Sequence, residues 1–192
     1  SGNTAGTDAG GGVGGGIMVV ASGAIVNTVN ITSSTISGNH AWDAGAPGVG
    51  TTVAGGIYNW STAAGNQAVV NLTNSTVSGN DANFAGGIYN DGLSATVNLD
   101  YSTVAGNSAD NDGGGLYQET TGTTNLRNSV VADNTSAALG PDIIGTITSQ
   151  DYNHVQSTAD GTFVPMANDV VDTAAGMGAL ANNGGTTQTH LP

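Results

Sequence analysis

Several residue types that most proteins use freely are scarce or missing in this chain. There is no cysteine and no lysine, and the only arginine and the only glutamate are Arg127 and Glu119. Without cysteine, disulfide bonds and cysteine-ligated zinc sites are excluded. Because nucleic-acid binding needs clustered lysine and arginine, a chain with a formal net charge of −13 is not expected to bind nucleic acid. The scarcity of strong helix formers makes long helices unexpected.

Long apolar runs and metal-binding motifs are also missing. No stretch of 18 apolar residues exists, so we expect no membrane-spanning helix. The three histidines, His40, His154 and His190, lie far apart in the sequence and show no metal-ligand spacing. We therefore expect no metal ion and no cofactor.

What the chain does contain recurs in a fixed order. Glycine contributes 32 of the 192 residues, and each repeat unit ends on an asparagine. These asparagines are separated by 41, 27 and 27 residues, and they are Asn39, Asn80, Asn107 and Asn134. A second set keeps the same spacing, and it comprises Asn30, Asn71, Asn98 and Asn125. The unit is therefore about 27 residues long, with a loop insertion near residues 40–54 of the first unit.

Apolar and polar residues alternate within each unit, which is the period of strands buried on one face. Val70 and Leu72, for example, share a face that Asn71 does not. Each unit supplies three short strands separated by Gly, Asn and Ser bends, without a hairpin or helix signal between them. We predict an all-β fold, a parallel β-helix of about 5 coils, with each strand pairing to its copy about 4.8 Å away.

This register predicts four columns of inward-facing side chains. They hold fifteen aliphatic residues and one threonine, and they are Ile17/Ile57/Ile88/Leu116, Val29/Val70/Val97/Thr124, Ile31/Leu72/Leu99/Leu126 and Ile36/Val77/Val104/Val131. Each fully buried aliphatic side chain contributes roughly 1.5–3 kcal/mol, which is enough for a narrow solenoid core.

The unit-ending asparagines are expected to be structural. Each follows Gly or Asp at a sharp bend, where we expect the asparagine to take the left-handed backbone angles that this residue tolerates. When they are stacked in register, the amide of each can bond to the next, which gives an asparagine ladder. One such bond is worth about 0.5–1.5 kcal/mol. The predicted ladder consists of Asn39, Asn80, Asn107 and Asn134.

The segments "GGIYNWST", "VVNLTNSTVSGNDA", "GPDIIGTITSQDYNHV" and "GMGALANNGGTTQTHLP" carry a family resemblance. The chain resembles bacterial parallel β-helix repeat proteins of the polymorphic outer-membrane and choice-of-anchor type. The resemblance implies a right-handed helix, a secreted or cell-surface location and a role often described as adhesin. It also implies coils over residues 1–140, followed by a last partial coil and a C-terminal extension over residues 141–192.

Three tyrosines form the main candidate contact surface. Tyr58, Tyr89 and Tyr117 each follow an inward-facing aliphatic residue, so we expect them to point outward. A row of stacked rings is suited to a partner protein or a sugar, although it can also be a purely structural stack covered by a loop.

Three classes of function remain open. A polysaccharide-degrading or carbohydrate-binding β-helix needs basic residues or a pair of opposed carboxyl groups, and nothing pairs Asp100 with Asp133 in the sequence. An ice-binding face needs a regular Thr array, which Asp100 and Arg127 interrupt. The third class is a non-enzymatic structural element outside the cell. Because exposed strand edges recruit further strands, we expect it to stack end to end with copies of itself, as a filament, stalk or adhesin module.

Overall fold

A computed structural model describes residues 2–5, 12–23, 25–41, 52–119 and 121–191. These residues form strands, turns and bends, and none of them is helical. The strands are β1 (Thr4–Ala5), β2 (Ile17–Ala21), β3 (Val26–Thr32), β4 (Thr35–Ser37), β5 (His40–Ala41), β6 (Ile57–Ser61), β7 (Gln67–Thr73), β8 (Thr76–Ser78), β9 (Asp81–Ala82), β10 (Ile88–Asp91), β11 (Ala95–Asp100), β12 (Thr103–Ala105), β13 (Ser108–Ala109), β14 (Leu116–Gln118), β15 (Thr123–Arg127), β16 (Val130–Ala132), β17 (Thr135–Ser136), β18 (Ile143–Ser149), β19 (His154–Val155), β20 (Gly161–Val164) and β21 (Val170–Val171).

The strands pair in parallel with their counterparts in the neighbouring unit. Three sheets result, with the orders β1-β5-β9-β13-β17, β2-β6-β10-β14-β18-β15-β11-β7-β3 and β21-β19-β16-β12-β8-β4, and β20 pairs with β18. An all-β chain of stacked parallel strands is consistent with a parallel β-helix, as predicted. The three expected strands of each unit are present, and a fourth strand of two residues follows the unit-ending asparagine.

The predicted register of the inward columns is confirmed. In the third column, for instance, Leu72 lies opposite Ile31 on one side and Leu99 on the other. Leu72, Leu99 and Leu126 are each at most 1% exposed. The one polar member, Thr124, is also buried and donates a hydrogen bond to the Gln118 side chain at 2.5 Å. The core is therefore a stack of like side chains along the axis, since matching positions of successive units meet.

The prediction that the unit-ending asparagines adopt left-handed backbone angles is wrong. The positive φ angle belongs to the residue before each of them, which is Gly38 (63°), Gly79 (62°), Gly106 (66°) or Asp133 (55°). Glycine, which stands at three of these four positions, adopts such angles without strain. The bend is therefore made before the asparagine, whose side chain points into the core.

The C-terminal part of the chain first continues the sheets and then turns back along them. β18 to β21 extend the same sheets, and the segment after β21 lies against earlier units. The His190 Nε2 atom is 2.8 Å from Ser78 Oγ, and Thr35 donates from Oγ1 to the Gln188 carbonyl at 2.8 Å. This segment therefore packs against the face formed by β4 and β8. Within the described residues, no helix is long and apolar enough to cross a membrane.

Candidate functional site: the tyrosine stack and its carboxylates

The predicted asparagine ladder is present in the core. Each asparagine donates both its backbone N–H and its Nδ2 to the Oδ1 of the next one, at 3.0 and 2.8 Å from Asn39 to Asn80, and at 3.0 and 2.9 Å from Asn80 to Asn107 and from Asn107 to Asn134. Asn3 precedes this series and donates to Asn39 in the same way. All four predicted members are buried. A fully bonded buried amide column of this kind holds the units in register rather than offering a ligand site.

The ladder ends on Asp142, which sequence reasoning did not single out. Asp142 is 1% exposed, and its Oδ1 accepts the backbone N–H and Nδ2 of Asn134 at 3.1 and 2.9 Å. Asp142 occupies the register position that Gly87 and Gly115 hold in the two preceding units, directly before Ile88 and Leu116. A Cβ atom built on either glycine would lie 3.1 Å or less from the Nδ2 atom of a ladder asparagine. Burial raises the pKa of Asp142 to about 6.

A second buried amide column lies one position after the tyrosines. Asn59 Nδ2 donates to Asn90 Oδ1 at 2.8 Å, and Asn90 Nδ2 donates to Gln118 Oε1 at 2.8 Å. The signal for it was visible in the sequence, because "GGIYN", "GGIYN" and "GGLYQ" place an amide at the same point of three units. This column fixes the strands from which the tyrosines project.

The tyrosines stack on one another along the axis. The ring centroids of Tyr58 and Tyr89 are 5.5 Å apart, and those of Tyr89 and Tyr117 are 4.9 Å apart. Trp60 extends the cluster, with its ring 6.1 Å from that of Tyr58. Tyr58 is buried, whereas Tyr89 and Tyr117 are half-buried. Because much of each ring surface is used by its neighbour, the exposed parts are edges and hydroxyl groups rather than open ring faces.

Two carboxylates lie beside this stack. The Tyr58 hydroxyl donates to Asp91 Oδ2 at 3.4 Å, and the Tyr89 hydroxyl donates to Glu119 Oε1 at 2.6 Å. Asn90 and Gln118 are register partners, which places Asp91 and Glu119 next to each other on successive strands. Sequence reasoning did not bring these two acids together, although each directly follows the amide of its "GGIYN" or "GGLYQ" segment.

The electrostatics of the cluster follow from burial and like charge. Burial, followed by the charge of Glu119, raises the pKa of Asp91. Burial and the neighbouring carboxylates also raise the pKa values of Tyr58, Tyr89 and Tyr117. The three hydroxyls therefore stay protonated at neutral pH, and those of Tyr58 and Tyr89 act as hydrogen-bond donors that orient Asp91 and Glu119.

A cleft of about 270 Å³ opens at the end of the stack. Its lining includes Tyr117, Glu119, Gly122, Ile144 and Thr146. Gly122 donates its N–H to the Glu119 carbonyl at 3.3 Å and so closes the turn that forms one wall. The cleft is large enough for a small polar group, and its lining includes one acidic residue, one aromatic residue and one hydroxyl-bearing residue.

The other residues considered for chemistry stay apart from this cluster. Asp100 accepts two hydrogen bonds from Arg127, from Nε at 3.0 Å and from Nη2 at 2.5 Å, and this lowers the pKa of Asp100. Asp100 and Arg127 are register partners on β11 and β15, so the outward column that an ice-binding surface would use carries an ion pair here. The described residues that line the cleft include no asparagine of the ladder.

Comparison with protein-family models, curated proteins and solved structures gives no significant match. The resemblance to bacterial surface β-helix proteins therefore stays a prediction, while the stacked parallel strands stand on the structure itself.

Proposed function

We propose that the protein is a non-enzymatic structural β-solenoid of the cell exterior, which stacks end to end with copies of itself. In this proposal the coil is right-handed, as parallel strand crossovers overwhelmingly are, and about 5 coils make up the chain. An exterior location fits an acidic chain that is rich in Thr, Asn and Gly and has no lysine, and the stacked copies would form a filament, a stalk or the shaft of an adhesin.

The observation that carries the proposal is the pair of open strand edges at the two ends of the stack. Among the described residues, β2, β3 and β4 pair on one side only, and so do β20 and β21 at the other end. Unpaired N–H and C=O groups on such edges are templates for further strands.

Exposed apolar side chains accompany both edges. Val26 on β3 is 62% exposed and Met18 on β2 is 43% exposed. At the opposite end Val164 on β20 is 74% exposed and Val170 on β21 is 45% exposed. The two ends are different surfaces, so joining one to the other is a heterologous contact that propagates along the axis.

Sedimentation velocity over a range of concentrations tests this proposal. We expect the average mass of the wild-type chain to rise with concentration, and Val26→Lys or Val170→Lys to prevent this because a charge on an edge strand blocks pairing. Leu93→Lys is the matched control, because Leu93 is 58% exposed in the turn between β10 and β11, away from both edges.

Mixing the two edge variants gives the sharpest arm of the experiment. Each variant keeps one intact end, so an equimolar mixture of Val26→Lys and Val170→Lys should form dimers that grow no further. A wild-type chain that stays monomeric at every concentration would refute the proposal, and dimers formed by Val26→Lys alone would refute the head-to-tail geometry.

A further inference from the structure

The cleft beside Tyr117 exists because one unit lacks a turn that the previous unit has. β14 ends at Gln118 and β15 begins at Thr123, so a turn interrupts that unit. In the next unit β18 runs without a break from Ile143 to Ser149 and pairs with both β14 and β15. The turn that carries Glu119 and Gly122 therefore has no counterpart beside the uninterrupted strand. The space left next to that strand is the cleft of about 270 Å³.

The wall of this cleft includes an acidic residue, Glu119, that forms no salt bridge with any described residue. Glu119 lines the cleft, and the Tyr89 hydroxyl holds Oε1 at 2.6 Å. Asp91 lies on the adjacent strand and repels it. The sequence has one arginine and no lysine, and Arg127 is engaged by Asp100. A bound cation would relieve this repulsion at a position where the carboxylate is already oriented.

The other lining groups favour an organic cation over a metal ion. Tyr117 and Ile144 add apolar side chains to the same lining as Glu119, and Thr146, an exposed residue, adds one that carries a hydroxyl. Among the described residues there is no group of three or more His, Asp or Glu side chains placed to hold a metal ion. Aromatic and aliphatic walls next to one carboxylate suit an ammonium or guanidinium group with an alkyl stem.

We propose that this cleft binds an organic cation, an ammonium or guanidinium group, with Glu119 as the counter-ion and Tyr117, Ile144 and Thr146 as its surroundings. The source of the group is either a free amine or the basic side chain of a polypeptide. The proposal is independent of end-to-end stacking, because the cleft lies on the side of the solenoid, between β14 and β18.

Two-dimensional ¹H–¹⁵N NMR with agmatine, which carries both groups, tests the proposal. At low ionic strength we expect saturable shifts of the Gly122, Gly145 and Thr146 amides. Glu119→Gln keeps an acceptor for the Tyr89 hydroxyl and should weaken binding at least tenfold. Asp110→Asn makes the same change in net charge at an exposed bend, and binding should change by less than about twofold.

A charge-neutral variant and two further ligands complete the design. Thr146→Trp fills the cleft from an exposed position and should abolish the shifts without altering the net charge. Methyl α-glucoside at equal concentration should produce none. Tighter binding of agmatine than of a Gly-Arg-Gly peptide would identify a free amine as the source, and the reverse order would identify a polypeptide side chain.

Three results would overturn the proposal. The first is an equal loss of binding in Glu119→Gln and Asp110→Asn, which would indicate attraction to the overall acidic charge. The second is the absence of agmatine-dependent shifts at Gly122, Gly145 and Thr146. The third is binding of the glucoside in place of agmatine, which would identify a site for neutral sugars.

Discussion

Replacing Asp142 by asparagine tests the physical account of the inner ladder. Asp142 is the one carboxylate at the end of a column of neutral amides, and only 1% of its surface is exposed. Burial raises its pKa from 3.8 to about 6, although the hydrogen bonds from Asn134 and from the Ser157 backbone act in the opposite direction. Desolvation of the charged form therefore dominates at this site.

The size and sign of the effect follow from this raised pKa. The folded state holds the proton more tightly than the unfolded state does, so the contribution of Asp142 to stability is complete below about pH 4. It is lost as the pH rises through about 6, and roughly two pKa units correspond to about 3 kcal/mol of unfolding free energy. Asp142→Asn exchanges no proton in this range, so that part of the decline should disappear.

Urea denaturation followed by far-ultraviolet circular dichroism, from pH 4 to pH 7.5, measures the effect. In Asp142→Asn the new amide would face the Ser157 N–H, which shifts the free energy of unfolding at every pH. The informative quantity is therefore the difference between the wild-type and variant pH profiles, and how that difference changes with pH. Asp91, whose pKa is also raised, affects both proteins equally and cancels. Asp110→Asn, at an exposed bend, should reproduce the wild-type profile. Parallel profiles for the wild type and Asp142→Asn would refute the reasoning.

Two further substitutions, each with a matched control, test the core and the ladder by thermal denaturation. Leu99→Ala should lower the free energy of unfolding by about 2–5 kcal/mol, whereas Leu93→Ala, at a side chain 58% exposed, should change it by less than about 0.5 kcal/mol. Equal effects would contradict the assignment of the inward column. Asn107→Ala leaves two buried N–H groups of Asn80 without an acceptor and should cost about 2–4 kcal/mol. Asn30→Ala removes one exposed hydrogen bond to Asn71 and should cost under about 1 kcal/mol, so a similar loss in both variants would show that burial of the ladder is not decisive.

The strand register was predictable from the sequence because a stacked fold repeats its side chains at the interval of its units. Asn98 lies opposite Asn71 and Asn125, 27 residues away on each side, and donates to Asn71 Oδ1 at 2.8 Å. The same interval identified the four core columns. The extra two-residue strands, such as β9, were not predicted, because strands this short have no alternation to detect.

The pairing of the candidate-site carboxylates was harder to predict because the unit spacing aligns residues without showing which side chains they contact. Asp91 and Glu119 stand 28 residues apart, like the register partners Asn90 and Gln118, and each directly follows the amide of its "GGIYN" or "GGLYQ" segment. This spacing aligns the two acids but does not show that tyrosine hydroxyls bind them. Asp142 is only 8 residues from the asparagine that it caps. Its carboxylate reaches the ladder from the start of the following unit, a route that unit spacing cannot reveal.

Two separate hydrogen-bonded columns end on an aspartate at the C-terminal side. One is the asparagine ladder, and in the other Ser102 N–H donates to Ser129 Oγ and Ser129 N–H donates to Asn153 Oδ1. Asn134 donates its backbone and side-chain N–H groups to Asp142 Oδ1, and Asn153 donates the corresponding groups to Asp169 Oδ1 at 2.7 and 3.1 Å. An ionised carboxylate only accepts hydrogen bonds, so neither column can be passed on to a further unit as an amide ladder.

This termination bears on how copies of the chain would stack. A second copy placed against β20 and β21 would be offered no side-chain N–H groups with which to continue the ladder, because the last residues of both columns are hydrogen-bond acceptors. The contact would therefore depend on the backbone edges and on apolar side chains such as Val164 and Val170. Association should then be weaker than the stacking of units within the chain, because the buried amide bonds that hold internal units in register have no counterpart at the junction.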